Sequence, residues 1–208
     1  MTTKLGLISD PHAKQAPVAE ALTIFKQQQV DKIICAGDVA GYFDETAAVI
    51  QLLTASGCRT ILGNHDELFL ETHAEATDTA EYTFLSALPS KLEYQLEGKR
   101  IYIVHAHPPE SLHGGIKLLD VNGKLIPEQQ QYWQQQLQDF AYDVLIVGHT
   151  HQVFAEKLGH VLAINPGSTQ FNHSCMILSL PEMHVQIFSL QGKQLLQSWN
   201  WGKFIHDQ

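Results

Sequence analysis

Short apolar runs alternate with amphipathic segments along the first third of the chain. Residues 4–9, 32–36 and 58–62 are apolar runs of strand length, which is typical of buried β-strands. Residues 17–29 and 46–56 lie between them and carry apolar side chains at helical spacing. This order predicts a β-α-β-α-β unit with parallel strands and right-handed crossovers.

The middle of the chain predicts helices and two further strands. Residues 67–90 have a helical pattern, and residues 100–104 and 143–147 are apolar runs that predict strands. Residues 110–126 are rich in glycine and predict a loop over the site formed by the strand ends. The glutamine-rich residues 127–140 predict a docked amphipathic helix, because their apolar side chains recur at helical spacing.

The last part of the chain predicts hairpins. Strand-like segments lie at residues 161–163, 174–180, 183–190 and 194–199. Pro181-Glu182 and residues 191–193 are turn sequences, so we expect an antiparallel or mixed second half. No repeat of fixed period and no linker is visible, and we expect a single domain over residues 1–208.

Side chains that can bind metal follow five of the predicted strands directly. In chain order the clusters are Asp10-x-His12, Gly37-Asp38, Gly63-Asn64-His65-Asp66, His105-x-His107 and Gly148-His149-x-His151. Open α/β sheets keep their sites at the carboxyl ends of their strands, so these side chains are expected to converge. Carboxylate, imidazole and amide ligands suit Mn²⁺, Fe²⁺, Zn²⁺, Co²⁺ or Ni²⁺ and disfavour a structural thiolate zinc site. There are enough ligands for two ions bridged by Asp38, an arrangement that clamps phosphorus for in-line attack by a bridging hydroxide.

Each cluster taken alone has a structural alternative. Asp10-Pro11-His12 is also typical of a turn with a helix N-cap. One of His105 and His107 is expected to be spare, because alternate residues of an extended segment point in opposite directions. The joint occurrence of the clusters at five strand ends favours the metal site.

Composition narrows the class of protein. The chain has 208 residues, of which 44% are hydrophobic and 17% charged, as in ordinary globular domains. A net charge of −9 argues against stable nucleic-acid binding but allows a small phosphorylated substrate such as a nucleotide. The apolar runs are too short to cross a bilayer, no signal peptide is visible, and the three cysteines show no C-x-x-C spacing. We therefore expect a cytoplasmic protein with reduced thiols that does not enter a membrane.

In this order the five clusters resemble the calcineurin-like metallophosphoesterase superfamily. Gly41-Tyr42 and Asn165-Pro166-Gly167-Ser168 are similar to the small bacterial phosphodiesterase branch of that superfamily. The resemblance runs from Leu5 to about Ser168 and implies an α/β (α+β) fold. The implied architecture is a four-layer α-β-β-α sandwich of two mixed sheets, with the metal site at the carboxyl ends of the strands.

The resemblance also assigns roles to residues. It implies that one metal ion is held by Asp10, His12, Asp38 and His151, and a second by Asp38, Asn64, His105 and His149. His65 would be the unligated histidine that stabilises the transition state or protonates the leaving oxygen. Asn64 would combine metal binding with a phosphate contact. Of the two divalent ions, Mn²⁺ is the first expectation, with Fe, Ni, Co or Zn as alternatives.

Two departures from the wider superfamily restrict the function. The phosphoprotein phosphatase branch carries Gly-Asp-x-x-Asp-Arg-Gly, whereas residues 37–43 here lack both the second Asp and the Arg. This argues against protein phosphatase activity and leaves open which group orients His65. Ala106 stands where relatives often carry glycine after the histidine of the fourth cluster.

The sequence therefore predicts a dinuclear metal-dependent phosphoesterase. Phosphodiesters are the expected substrates, with phosphomonoesters as a second class. A dinucleoside polyphosphate hydrolase is the alternative within the enzyme class. A non-catalytic metal-binding interaction scaffold is the alternative from another class. His65 favours the enzyme.

Overall fold

The computed structural model describes residues 2–199. The elements, in chain order, are β1 (Thr3–Ile8), α1 (Gln15–Gln27), β2 (Lys32–Cys35), α2 (Thr46–Ala55), β3 (Arg59–Thr60), α3 (Asn64–Thr72), α4 (Ala80–Ser86), β4 (Lys91–Leu96), β5 (Lys99–Val104), α5 (Pro127–Gln136), β6 (Val144–Ile146), β7 (Val153–Leu158), β8 (Val161–Pro166), β9 (Ser174–Leu180) and β10 (His184–Ser189). Within these residues no helix is long and apolar enough to cross a membrane. Cys35, Cys58 and Cys175 are free thiols.

The strands form two mixed sheets of five strands each. The first sheet has the order β10-β9-β1-β2-β3 and the second the order β4-β5-β6-β8-β7. Strands β1, β2 and β3 are parallel, as the alternation of strands and helices predicts. Strands β5, β6 and β8 are parallel in the second sheet, and an antiparallel strand lies at each of its edges.

The two sheets pack face to face over a buried apolar layer. Leu5, Leu7 and Ile34 of the first sheet share one cluster with Ile103 and Ile146 of the second. These side chains alternate with outward-facing ones because successive residues of a strand point to opposite faces. The inner faces of both sheets are thereby removed from water, which is the main favourable contribution to folding.

The outer faces of the two sheets are covered by helices and by a loop. Val18 and Phe25 of α1 and Leu53 of α2 pack on the first sheet. On the second sheet, residues of the 110–126 loop pack together with Leu137, which follows α5. The result is the expected four-layer α-β-β-α sandwich.

The 127–140 segment is helical but shorter than its pattern suggests. Helix α5 ends at Gln136 and has no fully buried residue. It docks through the partly buried Trp133, and Leu137 just beyond its end is 3% exposed. The single helical region predicted at residues 67–90 is two helices, α3 and α4, and α3 already begins at Asn64.

Two strands were not foreseen and one predicted strand is wrong. Strand β4 has no buried residue, and three of the six residues of β7 are partly or fully exposed. Neither strand therefore has the apolar run of a buried strand. Residues 194–199 form no strand, and only Ser198 makes an isolated bridge, to Gln152. The hairpin at Pro181-Glu182 is confirmed by the antiparallel pairing of β9 with β10, whereas residues 191–193 do not connect two strands.

Removing the Phe25 side chain should destabilise the protein strongly. The ring is 1% exposed and lies against Gly6, where an added Cβ would be 2.7 Å from Cδ2 of Phe25. We expect Phe25→Ala to lower the free energy of unfolding by about 3–5 kcal/mol through lost burial and a cavity. Urea unfolding of both proteins measures the difference. As a control, Leu68→Ala removes a side chain that is 51% exposed and should change stability by less than about 1 kcal/mol.

Candidate metal centre

The five predicted clusters converge at one edge of the sandwich. The loops that carry them are tied together by backbone hydrogen bonds between the sheets and within each sheet. Asp10 N donates to Gly37 O at 3.0 Å within the first sheet, and Gly148 N donates to His105 O at 2.8 Å within the second. The carboxylate of Asp10 joins the two sheets, accepting from His149 N at 3.1 Å.

The turns that carry the ligands have an unusual backbone. Positive φ angles occur at five of the seven candidate ligands: Asp10 (51°), His12 (48°), Asp38 (56°), His149 (65°) and His151 (48°). Residues other than glycine rarely adopt this left-handed region, and each such position costs on the order of 1–3 kcal/mol. The surrounding contacts must therefore stabilise a backbone conformation at these residues that is unfavourable in a free chain.

Three ligands form a first group. Nε2 of His12 lies 2.9 Å from Nε2 of His151, and Nε2 of His151 lies 3.4 Å from Oδ1 of Asp10. Oδ2 of Asp38 lies 3.9 Å from Nε2 of His12. All four residues are buried, and His151, the most exposed of them, is 2% exposed.

A second group shares Asp38 with the first. Oδ1 of Asp38 lies 3.4 Å from Nε2 of His105. Oδ1 of Asn64 lies 3.1 Å from the same nitrogen and 2.8 Å from Nδ1 of His149. Asp38 therefore presents one carboxylate oxygen to each group, which is the position expected of a bridging ligand.

The donor atoms fit divalent cations. Nδ1 of His105 lies 2.7 Å from the carbonyl oxygen of Ala36, and a carbonyl can only accept, so Nδ1 carries the hydrogen. Nε2 of the same ring then faces two oxygen acceptors, Asp38 and Asn64. This is the arrangement by which a backbone carbonyl orients a metal-binding imidazole. Within residues 2–199, Asp10 and Asp38 make ion pairs with histidines alone.

The pKa values of the site follow from burial and from these pairs. Burial lowers the pKa of His12 to about 3 and that of His149 to about 4, which keeps both rings neutral as metal binding requires. Burial alone would raise the pKa of Asp38, but the charge and hydrogen bond of His105 bring it below the usual range. The pKa of His105 is raised to about 10 because the attraction of Asp38 outweighs burial. A cation at Nε2 would take the place of that proton.

His65 lies beside both groups, and a ring nitrogen of His65 lies within 4.8 Å of the ligand atoms of His12 and Asp38. Its backbone N–H donates to Oδ1 of Asp38 at 2.8 Å, which fixes its position at the start of α3. Its ring lies 4.8 Å from the ring of His12 and 4.6 Å from that of Tyr42, between ring centroids. His65 is thus oriented by neighbouring rings, where the phosphoprotein phosphatase branch has a carboxylate.

Backbone crowding explains why that carboxylate is missing. Gly41 stands at the position of the second Asp in the other branch. A Cβ at Gly41 would lie 2.4 Å from Nδ1 of His12, so no side chain fits there without moving a candidate ligand. Tyr42 occupies the position of the missing Arg and contributes its ring to the wall beside His65.

Two residues of the predicted clusters, Asp66 and His107, lie outside the groups of candidate ligands. Asp66 is fully buried and accepts from Gly63 N at 2.9 Å and from Ala40 N at 2.8 Å, so it caps α3. Burial and the charge of Asp38 raise the pKa of Asp66 to about 7. His107 lies outside both ligand groups, with its ring 5.8 Å from that of Trp133. The expectation that one histidine of His105-x-His107 is spare agrees with this placement.

Buried polar side chains hold the ligand turns, and sequence reasoning found only some of them. Asn165 donates to Gly148 O at 2.8 Å, and Ser168 Oγ donates to Asp10 O at 2.6 Å, so residues 165–168 lie beside the site. Asn172 donates to His151 O at 2.9 Å. Gln152 binds the backbone of the 110–126 loop. Neither Asn172 nor Gln152 belongs to a recognisable sequence motif. For Gln152, its position directly after His151 was the only feature of the sequence that pointed to a place near the site.

An open cleft of about 630 Å³ lies over the ligands. Asp38, Asn64, His65, His149 and His151 form part of its lining. The other side chains that line it come mainly from the 110–126 loop and from the end of the described chain: Tyr42, Lys117, Leu119, Asp120, Val121, Ile126, Thr150, Gln152, Ser198 and Trp199. A cavity of this size accepts an organic ligand larger than a phosphate group.

The chain belongs to the calcineurin-like phosphoesterase superfamily, whose domain matches residues 3–181. It is by class a metal-dependent phosphoester hydrolase. A phosphodiesterase of Methanocaldococcus jannaschii is 26% identical over 164 residues, which cover 79% of this chain and 82% of the relative. An uncharacterised protein of the same organism is 23% identical over 185 residues, covering 78% of this chain and 68% of the relative.

Solved structures have the same fold. A hypothetical protein from Pyrococcus horikoshii has a TM-score of 0.73 at 14% identity, covering 99% of this chain and 91% of the other. A structure described as a novel archaeal phosphodiesterase has a TM-score of 0.60 at 21% identity, covering 90% of this chain and all of the other. These likenesses agree with the four-layer architecture.

A methyl group at Gly63 should damage the metal centre more than the fold. An added Cβ would lie 2.1 Å from Oδ1 of Asp38 and 2.3 Å from its backbone nitrogen, so the carboxylate of this candidate ligand must move. We expect Gly63→Ala to lower the metal content of Mn²⁺-loaded protein, measured by elemental analysis after dialysis.

Gly57→Ala is the matched control. An added Cβ at Gly57 has no heavy atom within 4 Å, although φ is +67°. This variant should lose about 1 kcal/mol of stability through backbone strain and keep its full metal content. Equal metal content in the two variants would contradict the assigned position of Asp38.

Proposed function

We propose that this protein hydrolyses phosphodiesters at a centre of two divalent cations. The observation that carries the proposal is the sharing of Asp38 by two ligand groups on the floor of one cleft, with His65 beside them. The similarity to a Methanocaldococcus jannaschii phosphodiesterase supports the choice of diester over monoester. Phosphomonoesters remain a second class of candidate substrate.

Seven side chains would hold the cations. Asp10, His12, Asp38 and His151 would bind one, and Asp38, Asn64, His105 and His149 the other. Bound divalent cations would activate an attacking water and neutralise the charge that develops on the phosphoryl oxygens. The chain itself contributes neutral imidazoles at His12 and His149 and a carboxylate at Asp38, all held in place before substrate binds.

His65 would assist departure of the leaving group. Its ring lines the cleft beside the ligands, and its backbone is fixed by Asp38, so the imidazole is positioned without being needed as a ligand. A protonated ring nitrogen would donate a proton to the leaving ester oxygen. Asn64 would orient the reacting group, because it stands next to His65 at the start of α3, where helix amides favour an anion.

Removal of metal should abolish hydrolysis. We expect protein treated with a chelator and dialysed to be inactive toward bis-p-nitrophenyl phosphate, because the seven side chains alone offer no electrophile. Addition of Mn²⁺, Co²⁺ or Ni²⁺ should restore the release of p-nitrophenol. Mn²⁺ is expected to restore the most, and undiminished activity of the apoprotein would contradict a metal-dependent reaction.

Replacement of His65 should lower turnover without removing metal. We expect His65→Ala to reduce kcat by roughly 10²–10⁴, the usual contribution of a general acid. The loss should be largest for esters with poor leaving groups, which depend most on protonation. Steady-state kinetics measures kcat, and elemental analysis of the same preparation measures the metal content, for both His65→Ala and the unsubstituted protein.

His107→Ala is the control for this experiment, since His107 lies outside both ligand groups. It should leave kcat within about twofold of the unsubstituted protein, as expected of a residue away from the reacting atoms. Full activity of His65→Ala would remove His65 from the mechanism.

A non-catalytic scaffold is the second candidate, and the fold alone does not choose between the two. Vacuolar protein sorting 29 from Cryptosporidium parvum has a TM-score of 0.53 at 16% identity, covering 90% of this chain. The complete ligand set and the accessible His65 favour the enzyme here. Two bound cations without turnover on a broad panel of phosphoesters would favour the scaffold.

A further inference from the structure

Residues 116–119 of the 110–126 loop are held by side-chain hydrogen bonds from Thr150 and Gln152. Leu118 N and Leu119 N both donate to Oε1 of Gln152, at 2.8 and 3.0 Å, and Nε2 of Gln152 donates to Leu119 O at 2.7 Å. Oγ1 of Thr150 donates to Ile116 O at 3.1 Å. Four hydrogen bonds therefore join residues 116–119 to the residues on either side of His151.

Alternation along this segment directs Lys117 to the cleft. Ile116 and Leu118 are fully buried in the apolar cluster on the outer face of the second sheet. Lys117 lies between them, is exposed and lines the same cleft as His65 and His149. Because neighbouring residues of an extended segment point in opposite directions, anchoring Ile116 and Leu118 keeps Lys117 on the cleft side.

The protein does not neutralise this lysine. Within residues 2–199, Lys117 makes no ion pair and no side-chain hydrogen bond. Asp120, the acidic residue on the same wall, uses Oδ1 to accept from Asn122 N and Lys124 N, both at 2.8 Å. In a chain of net charge −9, an exposed ammonium group that lines the cleft without an ion pair is suited to an anionic ligand.

We propose that Lys117 binds a second anionic group of the substrate, separate from the phosphoryl group that reacts. This inference rests on the proposed function. The reacting group would lie over the ligand side chains, where bound cations, Asn64 and His65 already supply positive charge and donors. Lys117 belongs to the part of the cleft lining that the 110–126 loop provides.

The rest of that wall indicates what the anion is attached to. Val121 and Ile126 line the same cleft, where Val121 is 64% exposed and Ile126 is partly exposed, while Leu119 of the same lining is buried. Apolar side chains exposed in a cleft favour an organic group with an apolar or aromatic face. The substrate class is therefore an organic phosphate ester with two linked anionic groups, of which a nucleoside diphosphate derivative is the simplest example.

Calorimetric titration of the Mn²⁺-loaded full chain with ADP and with AMP tests this subsite. The two probes share the nucleoside and differ by one phosphate, and equal free Mn²⁺ in cell and syringe corrects for chelation. We expect ADP to bind about 10-fold more tightly than AMP, as one lysine–phosphate contact allows. Lys117→Gln should weaken ADP binding about 10-fold and change AMP binding by less than about twofold.

Two further variants serve as controls. Lys117→Arg keeps the positive charge and should retain most of the preference for ADP. Lys124→Gln removes a charge from the same loop outside the cleft lining and should leave both affinities unchanged.

An unchanged ADP preference in Lys117→Gln would overturn the subsite. Equal loss of ADP and AMP binding would also overturn it, because Lys117 would then contact the reacting phosphate. Hydrolysis of bis-p-nitrophenyl phosphate by the same loaded protein is measured in parallel. No hydrolysis together with an intact ADP preference would reject the proposed function and not the subsite.

Discussion

The metal centre depends on turns that hold their side chains in a conformation the free backbone disfavours. Asp10, Asp38 and His151 all have positive φ angles, and each turn is kept by hydrogen bonds to another strand end. The carboxylate of Asp10 accepts from His149 N, so a candidate ligand from one sheet also orders a ligand turn from the other. The packing of the two sheets therefore decides whether the ligands meet.

Buried polar side chains stabilise those turns by hydrogen bonding to their backbone groups. Backbone groups in turns have no ladder partner, and leaving them buried without hydrogen bonds would cost about 1–3 kcal/mol each. Asn165, Ser168 and Asn172 bind carbonyl groups of the ligand turns. Gln152 extends the same support to the loop that covers the cleft. The candidate metal site and the wall of the cleft are consequently parts of one hydrogen-bonded unit.

The fold places the site, and particular side chains define its chemistry. Related folds serve proteins with different names, so the sandwich alone does not identify a reaction. Here Asp38 lies between two groups of candidate ligands, and His65 lies in the cleft with its ring close to His12 and Asp38. Tyr42 and Gly41 replace the acidic and basic residues of the phosphoprotein phosphatase motif, with Gly41 required by the closeness of His12. This difference separates the site from that branch and is consistent with small phosphoester substrates.

Local signals were enough for the parallel strands, most of the helices and the ligand clusters. Asp10, Asp38 and His65 directly follow apolar runs, and the order of those runs is visible in the chain. Strands β4 and β7 were not predicted from the sequence, because edge strands that are exposed on one face lack a continuous apolar run. Residues 194–199 showed the opposite error: they meet the second sheet only at residues 151–153, where Ser198 forms a single bridge with Gln152 and no ladder.

Only the tertiary structure decided which side chains meet. His105 and His107 are equivalent in the sequence, yet His105 faces Asp38 while His107 lies against Trp133. Gln152 and Lys117 have no motif, and their roles follow from the packing of the 110–126 loop on the second sheet. The direction of a side chain after a strand depends on turn angles and on contacts between distant segments. The sequence by itself therefore determined the kinds of ligand and their strand ends, and the packing of the two sheets determined their grouping around Asp38.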